Sequence, residues 1–488
     1  MKNALLIFAF LSFYLSSVHA SVEIRSNKLT TGDGLANNSI RYMFQDSKGF
    51  MWMGTVNGLS YYDGNSFVSI YPDPNLPISL ADPRIRNMEE DSNGFLWIAT
   101  LSSLYSCYDL KHGRFVDFTG CGEYKQSYSK KIIASDQSIW LWDNNNGCRR
   151  VVYQDGQFSS QAYKKELGNL SSDKVLFVYE SNDSPGHVWI GTKQGLWKYH
   201  DGKLEAMDTQ GESWEHIFSY DQYTCIITGK KEIYRHSLSN NRLEKIASLT
   251  ELGDTGVITG SLRLQHQWVM FTATGSYILD PVTGKLRRFS RLNIKNGNVT
   301  RDNKGNAWVH NYTGNVWYVN TSTGDIKHFQ FLSSEHLGYI DVERYSIIHD
   351  SRDIIWITTY GNGLFAYDLN TGDLQHFTFE VSHSSHINSN YLQYIIEDRS
   401  GGIWVSSEFS GLSHLEILNK GTLRIYPNGE DASDRSNTIR MLLRGKNGNV
   451  YMANRMGTLY EYDADLKNIL RREKFTHNVY SMCEDNEG

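Results

Sequence analysis

The sequence predicts an all-β chain: a seven-bladed β-propeller followed by an incomplete second β-propeller. Three observations lead there. Aromatic residues make up 13% of the chain, with 12 Trp and 30 Tyr, while Gly is abundant (41) and Pro scarce (7). That profile suits many short strands joined by tight turns. A strand–turn–strand pattern also recurs along the length. Finally, 488 residues exceed what one hydrophobic core usually spans, so at least two domains are expected.

The repeat carries the argument. An apolar strand ends in Asp, a turn closes on Gly, a strand centres on Trp, and a further strand carries Tyr-Asp. Residues 39–64 show it as SIRYMFQDSKGFMWMGTVNGLSYYDG, and it returns at 84–109, 345–368 and 394–416. Weaker copies centre on Trp140, Trp189, Trp268 and Trp308, and degenerate ones near Cys225-Ile226 and Tyr451. The Asp-to-Trp spacing is fixed in the good copies: Asp46/Trp52, Asp91/Trp97, Asp302/Trp308, Asp350/Trp356 and Asp398/Trp404. Asp-x-x-Gly is a type I turn in which the carboxylate accepts from backbone N–H groups. The strand around Trp is half-buried, its indole filling the wedge between sheets. Asn57-Gly58, Gln194-Gly195 and Asn362-Gly363 close the next hairpin, where positive φ is needed. Three or four strands every 40–50 residues make one blade, whereas solenoid repeats are roughly half that length.

Ten such centres exceed the usual complement of one ring. The turn after Trp lengthens by one residue at Trp356 and Trp404, and the strong motif returns at Tyr345. These features place about seven blades in residues 21–330 and the first three or so blades of a second propeller in 331–488. The last residues, NVYSMCEDNEG, stop between the Asp turn and the next expected Trp. The expectation is an N-terminal fragment cut in mid-blade.

The first twenty residues read as a signal peptide. Lys2 precedes an apolar run from Ala4 to Val18, and Val18-His19-Ala20 offers a small-x-small cleavage site. The run is short for a membrane anchor. The net charge of −6 gives no electrostatic case for nucleic acid or an anionic membrane. Five scattered cysteines (107, 121, 148, 225, 483) form no metal pattern. Buried free thiols are expected, with a Cys107–Cys121 bridge as the alternative.

The phrase LTTGDGLANNSIRYMFQDSKGFMWMGTVNGLSYYDG (residues 29–64) resembles the two-component-regulator propeller repeat. That repeat builds the periplasmic sensor region of hybrid two-component systems, histidine kinase and response regulator in one chain, in Bacteroides-type bacteria. The resemblance implies tandem seven-bladed propellers and a small β-sandwich. A membrane helix, kinase, receiver and DNA-binding domain then follow. It implies periplasmic placement, inner-membrane anchoring of a full-length relative, an oligosaccharide ligand, and control of polysaccharide-utilisation genes. The kinase, receiver and DNA-binding parts do not follow here, so this chain is expected neither to be an enzyme nor to bind nucleic acid. The missing C-terminal sensor and kinase portion would be its partner, and a homodimer stays open.

Searching for chemistry outside the repeat yields little. There is no phosphate-cradling loop, zinc helix motif or nucleophile elbow, and no cofactor is expected. His383 and His386 (H-S-S-H) read as solvated loop histidines rather than metal ligands, and the repeated Asp residues read as turn formers, leaving no catalytic residue. Ligand residues are sought in the turns after each Trp strand, which share a face with the inter-blade connections and point to the central opening. The candidates are Trp142 and Asn144 (beside Asp143), Tyr312 (beside His310 and Asn311), Tyr360 and Asn362, and Phe409 (beside Glu408). Aromatic faces with amides suit sugar rings. Arg149-Arg150 and Arg287-Arg288 are candidates for an acidic glycan, against a plainer reading as solvated strand ends. The alternative functions are a secreted tandem-propeller carbohydrate-active enzyme (glycoside hydrolase or lyase), which needs a paired-carboxylate cleft, and a protein-interaction scaffold.

Overall fold

A computed structural model describes residues 23–485, except 120–127, 182–183, 209–212, 222–223, 230–231, 238–239, 255–256, 303, 312–314, 331–345, 381–385, 419–424, 426, 429–434, 465 and 467. The expected leader, residues 1–20, lies outside the described residues. Among the described residues the chain forms ten four-stranded sheets with a few 3-10 turns and no α-helix. No helix there is long and apolar enough to cross a membrane.

In four blades the Trp strand is buried throughout: Met51–Thr55, Phe95–Thr100, Ile354–Thr358 and Ile403–Ser407 show no exposed position. The turn before it explains the six-residue spacing. One oxygen of Asp46 accepts from the backbone N–H groups of Lys48 (3.0 Å) and Phe50 (2.9 Å). Its second oxygen accepts from the indole Nε1 of Trp52 at 2.8 Å. The same indole–carboxylate bond recurs at Asp91/Trp97 (2.8 Å), Asp350/Trp356 (2.9 Å) and Asp398/Trp404 (2.6 Å). The carboxylate therefore ties a turn to the core, and six residues is the separation that lets it do both.

Blade seven departs from this. Asp302 keeps its bonds to the backbone of Lys304 (3.0 Å) and Asn306 (2.8 Å). Trp308 Nε1, however, has no hydrogen-bond partner. The free oxygen of Asp302 instead faces Nδ1 of buried His349, 3.6 Å away on the next blade, whose Nε2 lies 2.9 Å from Asp353.

Nine apolar clusters fill the wedges between consecutive sheets. Trp52 and Leu59 of the first sheet meet Ile85, Met88, Leu96 and Ile98 of the second. Trp308, Val316 and Tyr318 of the seventh meet Ile347, Ile355 and Phe365 of the eighth. Trp404 and Leu412 of the ninth meet Ile40, Met43 and Met53 of the first. Polar latches run alongside. Ser47 donates to Glu90 (2.6 and 2.5 Å), Ser351 to Glu397 (2.9 and 2.6 Å for the shorter contacts), and the backbone N–H of Arg399 to Gln45 (2.9 Å). The last of these joins the ninth blade back to the first.

The closure is completed by the first described strand. Strand Glu23–Leu29 lies beside Leu412–Leu418 as the outermost strand of the ninth sheet. Gly411 makes this approach possible: its φ is +79°, and a Cβ there would sit 2.3 Å from the Leu29 carbonyl oxygen. Compact grouping accordingly divides the chain at Ile417–Leu418. The propeller class stands, and compact grouping carries the first unit past residue 330, where a boundary was expected, to Ile417. Nine sheets belong to the first unit, because the seventh and eighth share a core and the first strand closes the ninth. The second unit, residues 418–488, holds the remaining sheet, cored by Val450, Met452, Tyr460 and Tyr462.

Among the described residues Cys107, Cys148, Cys225 and Cys483 form no disulfide, and the first three are buried. Cys121, the other half of the alternative bridge, lies outside the described residues, as does His383.

Candidate ligand site at the mouth of the ring

The first strand of each blade lines the centre of the ring, and five blades interrupt that strand with a bulge near its start. In the first blade Ile40 pairs with Thr55 and Tyr42 with Gly54, so Arg41 is left over. In the second, Ile85 pairs with Thr100 and Asn87 with Ala99, leaving Arg86. Leu176, Glu215 and the Gln393-Tyr394 pair are left over in blades four, five and nine. A bulged residue is turned away from the ladder, a common device beside binding sites. All of these residues line cavities at one mouth of the ring.

The largest of these cavities has a volume of about 750 Å³ and is walled by blades one, two, seven, eight and nine. Arg41 reaches across the ring closure, donating from its two terminal nitrogens to Gln393 (3.1 Å) and to buried Glu408 (3.1 Å). Arg84 clamps Asp82 through Nε (3.0 Å) and a terminal nitrogen (2.8 Å). The Arg84 side-chain bond, outweighing burial, holds the Asp82 carboxyl down at about 2. Arg86 stands two residues further along, with no ion pair among the described residues. Tyr42 and Tyr394 pack ring to ring, 4.7 Å between centroids, and burial raises the pKa of both phenols. Thr300 and Ser346 add hydroxyls. Guanidinium forks, phenols and hydroxyls beside apolar Ile85, Ile347 and Ile395 give both hydrogen-bonding and ring-stacking surface.

Two smaller cavities share this mouth. One of about 380 Å³ is bounded by Thr300, Phe218, Asn298 and buried His310. The other, about 420 Å³, is bounded by Trp142, Asn144, Lys130, Lys193 and Glu215.

The sequence-selected residues scatter over this face. Trp142 and Asn144 line the 420 Å³ cavity together. Tyr360 packs edge-on to Tyr391, 5.2 Å between centroids, outside the wall of the largest cavity. The Asn362 carbonyl oxygen lies 2.6 Å from His376 Nε2, and Phe409 is 72% exposed on its turn. Tyr312 lies outside the described residues. Arg149 is buried against Tyr128 (3.3 Å) and Ser160 (2.7 Å), and Arg150 is bonded to Asp136 (2.6 Å). Arg288 lies over the Tyr277 ring and donates to the Leu252 carbonyl at 3.3 Å. Sequence reading missed Arg41, Arg84 and Arg86. The signal for Arg41 and Arg86 was the arginine after a strand-opening isoleucine, in SIRY and again in RIRN, whereas Arg84 precedes that isoleucine.

Comparison with known proteins bears on these residues. The two-component-regulator propeller family matches residues 34–57 and 79–102, so these two segments are repeats of that type. Arg41, Tyr42 and Val56 of the cavity wall fall in the first segment, and Arg84, Ile85, Arg86 and Leu101 in the second. Comparison with curated proteins gave no match. Among solved structures, the chain is similar to two extracellular domains described as those of hybrid two component systems of B. thetaiotaomicron. For BT3049 the identity is 15%, with 96% of this chain and 69% of that chain covered and a TM-score of 0.36. For BT4673 the identity is 16%, with 94% and 61% covered and a TM-score of 0.38. PorZ, a surface component of the type-IX secretion system of Porphyromonas gingivalis, is 10% identical, with 94% and 78% covered and a TM-score of 0.33.

Proposed function

We propose that this chain is a ligand-binding sensor portion of a hybrid two-component regulator, that it acts in the periplasm, and that its ligand is an oligosaccharide taken at the mouth of the ring. The observation that supports this most is the coincidence just described. The two segments that match the regulator-propeller family supply seven residues to the wall of the largest cavity. A cavity of about 750 Å³ falls in the range of small-ligand sites, and its mix of phenols, hydroxyls and apolar side chains suits a sugar.

The ligand's effect would reach a kinase only through further parts of a full-length protein, whose partners and regulated genes belong to this proposal. The test is titration calorimetry of the full chain against a panel of plant and host oligosaccharides. Saturable heat from one glycan class, abolished by Tyr394→Ala in a protein that melts normally, is the expected result. Cleavage of a glycan by the purified chain, with no saturable binding, would overturn the sensor reading in favour of a carbohydrate-active enzyme.

A further inference from the structure

Charge at the mouth is unevenly distributed. Three guanidinium groups line the largest cavity, those of Arg41, Arg84 and Arg86. Two carboxylates answer them: Glu408 pairs with Arg41 at 3.1 Å and Asp82 with Arg84 at 2.8 Å. Arg86 has no such partner. Glu89, on the same strand, is turned to Lys131. On the third blade another cation, Lys130, stands beside Glu215 on the wall of the 420 Å³ cavity, and among the described residues its amine donates to the Leu176 carbonyl at 3.4 Å. Burial, and then the positive charge of Arg86, weaken the hold of Lys130 on its proton. Among the described residues, Arg86 thus faces the largest cavity without a carboxylate of its own.

We infer that the mouth of the ring is built for a sugar bearing an oxyanion, a carboxylate or a sulfate ester, held by Arg86 and flanked by Arg41 and Arg84. This rests on the proposed function and narrows it. The bulges give the inference its geometry. They turn the side chains at the same position of two adjacent blades, Arg41 and Arg86, out of the ladder and toward one cavity. A guanidinium presents a fixed fork of N–H donors that matches a carboxylate or sulfate, and it does so most strongly where water is partly excluded. Arg41 and Arg84 are already held in place by their own acids, so little freedom would be lost when an anion arrives. The neighbouring phenols of Tyr42 and Tyr394 supply a face for the ring that carries the charge.

The experiment compares matched glycans on the full chain by calorimetry. Trigalacturonate is set against its methyl ester, and a sulfated chondroitin disaccharide against its unsulfated form, each at low and at raised salt. Within at least one pair, the charged member is expected to bind about tenfold or more tightly, and to lose that advantage as salt rises. Arg86→Gln should remove most of the advantage and Arg86→Lys should restore part of it, while both variants melt like the parent. Preference for trigalacturonate or for the sulfated disaccharide then assigns the oxyanion. If each neutral member binds as well as its charged counterpart, or if Arg86→Gln leaves the preference untouched, the charge inference falls and the sensor proposal stands. If no glycan of either kind binds, both fall.

Discussion

Trp97 and Trp308 occupy equivalent places in the second and seventh blades, and both are fully buried. Each packs on two aromatic rings: Trp97 on Phe118 and Phe158 at 5.1 and 6.2 Å, and Trp308 on Tyr318 and Phe329 at 5.0 and 6.1 Å. Trp→Phe therefore removes similar apolar contact at both sites. The difference is the indole N–H, which donates to Asp91 at 2.8 Å in one blade and to nothing in the other. A buried bond to a charged group is worth about 1.5–3 kcal/mol, and removing its donor strands the carboxylate oxygen. Trp308→Phe strands nothing. Trp97→Phe should thus destabilise by about 2 kcal/mol more than Trp308→Phe. For a cooperative unit of roughly 400 residues, whose unfolding entropy is about 0.8 kcal/mol per degree, that is a gap of about 2–3 °C in Tm. Scanning calorimetry of the two variants under identical conditions measures it. Equal melting points, or a lower one for Trp308→Phe, would refute the view that the indole–carboxylate bond stabilises the repeat.

Three further outcomes follow from the packing. Gly54→Ala would place a methyl 2.5 Å from Ile85 Cγ2 and 2.8 Å from its Cβ. The blades must then shift apart, a loss of about 1–3 kcal/mol seen in the denaturant midpoint. His236 is fully buried, and burial, reinforced by the charge of Lys198, pushes its pKa down to about 4. It is therefore neutral when folded, whereas the unfolded chain takes up its proton near pH 6.5. Its contribution is complete above that value and is lost as pH falls toward about 4, so His236→Gln should flatten the decline in stability between pH 7.5 and 4.5 in urea titrations. Deleting residues 23–29 would leave Leu412–Leu418 as an open edge. Lower Tm and soluble oligomers on size-exclusion chromatography are expected.

What could be read from the sequence was whatever repeats locally. The Asp-to-Trp interval announced the blades, because one carboxylate has to reach both a turn and an indole six residues on. Even the degenerate copies around Cys225 and Tyr451 proved to be four-stranded sheets. The division between units could not be read this way. It depends on which strand fills the last place in the ninth sheet, a pairing between residues far apart in the chain, and the lengthened turns at Trp356 and Trp404 carry no trace of it. The site was half legible. The face that carries the cavities was identifiable from the strand order, but the turns drew attention through their aromatic residues. Arg41 and Arg86 stood instead inside the strands, at bulged positions, and a bulge leaves no mark in a pattern of alternating apolar residues.

The place taken by Glu23–Leu29 has a consequence for how the molecule comes to exist. Glu23–Leu29 has its hydrogen-bonding neighbour at Leu412–Leu418, so it waits unpaired until nearly four hundred further residues have been made. The entropic charge for closing so long a loop grows only slowly, about 0.6 kcal/mol for each doubling in length, and is bearable. The delay matters more. Contacts so distant in sequence slow folding and leave edges exposed meanwhile. The intervening blades are local and can assemble in passing, each hairpin on its predecessor. Closure is the event that must come last within the first unit, and it converts a curved stack, still open to pairing with its neighbours, into a ring with no free edge between its ninth and first blades.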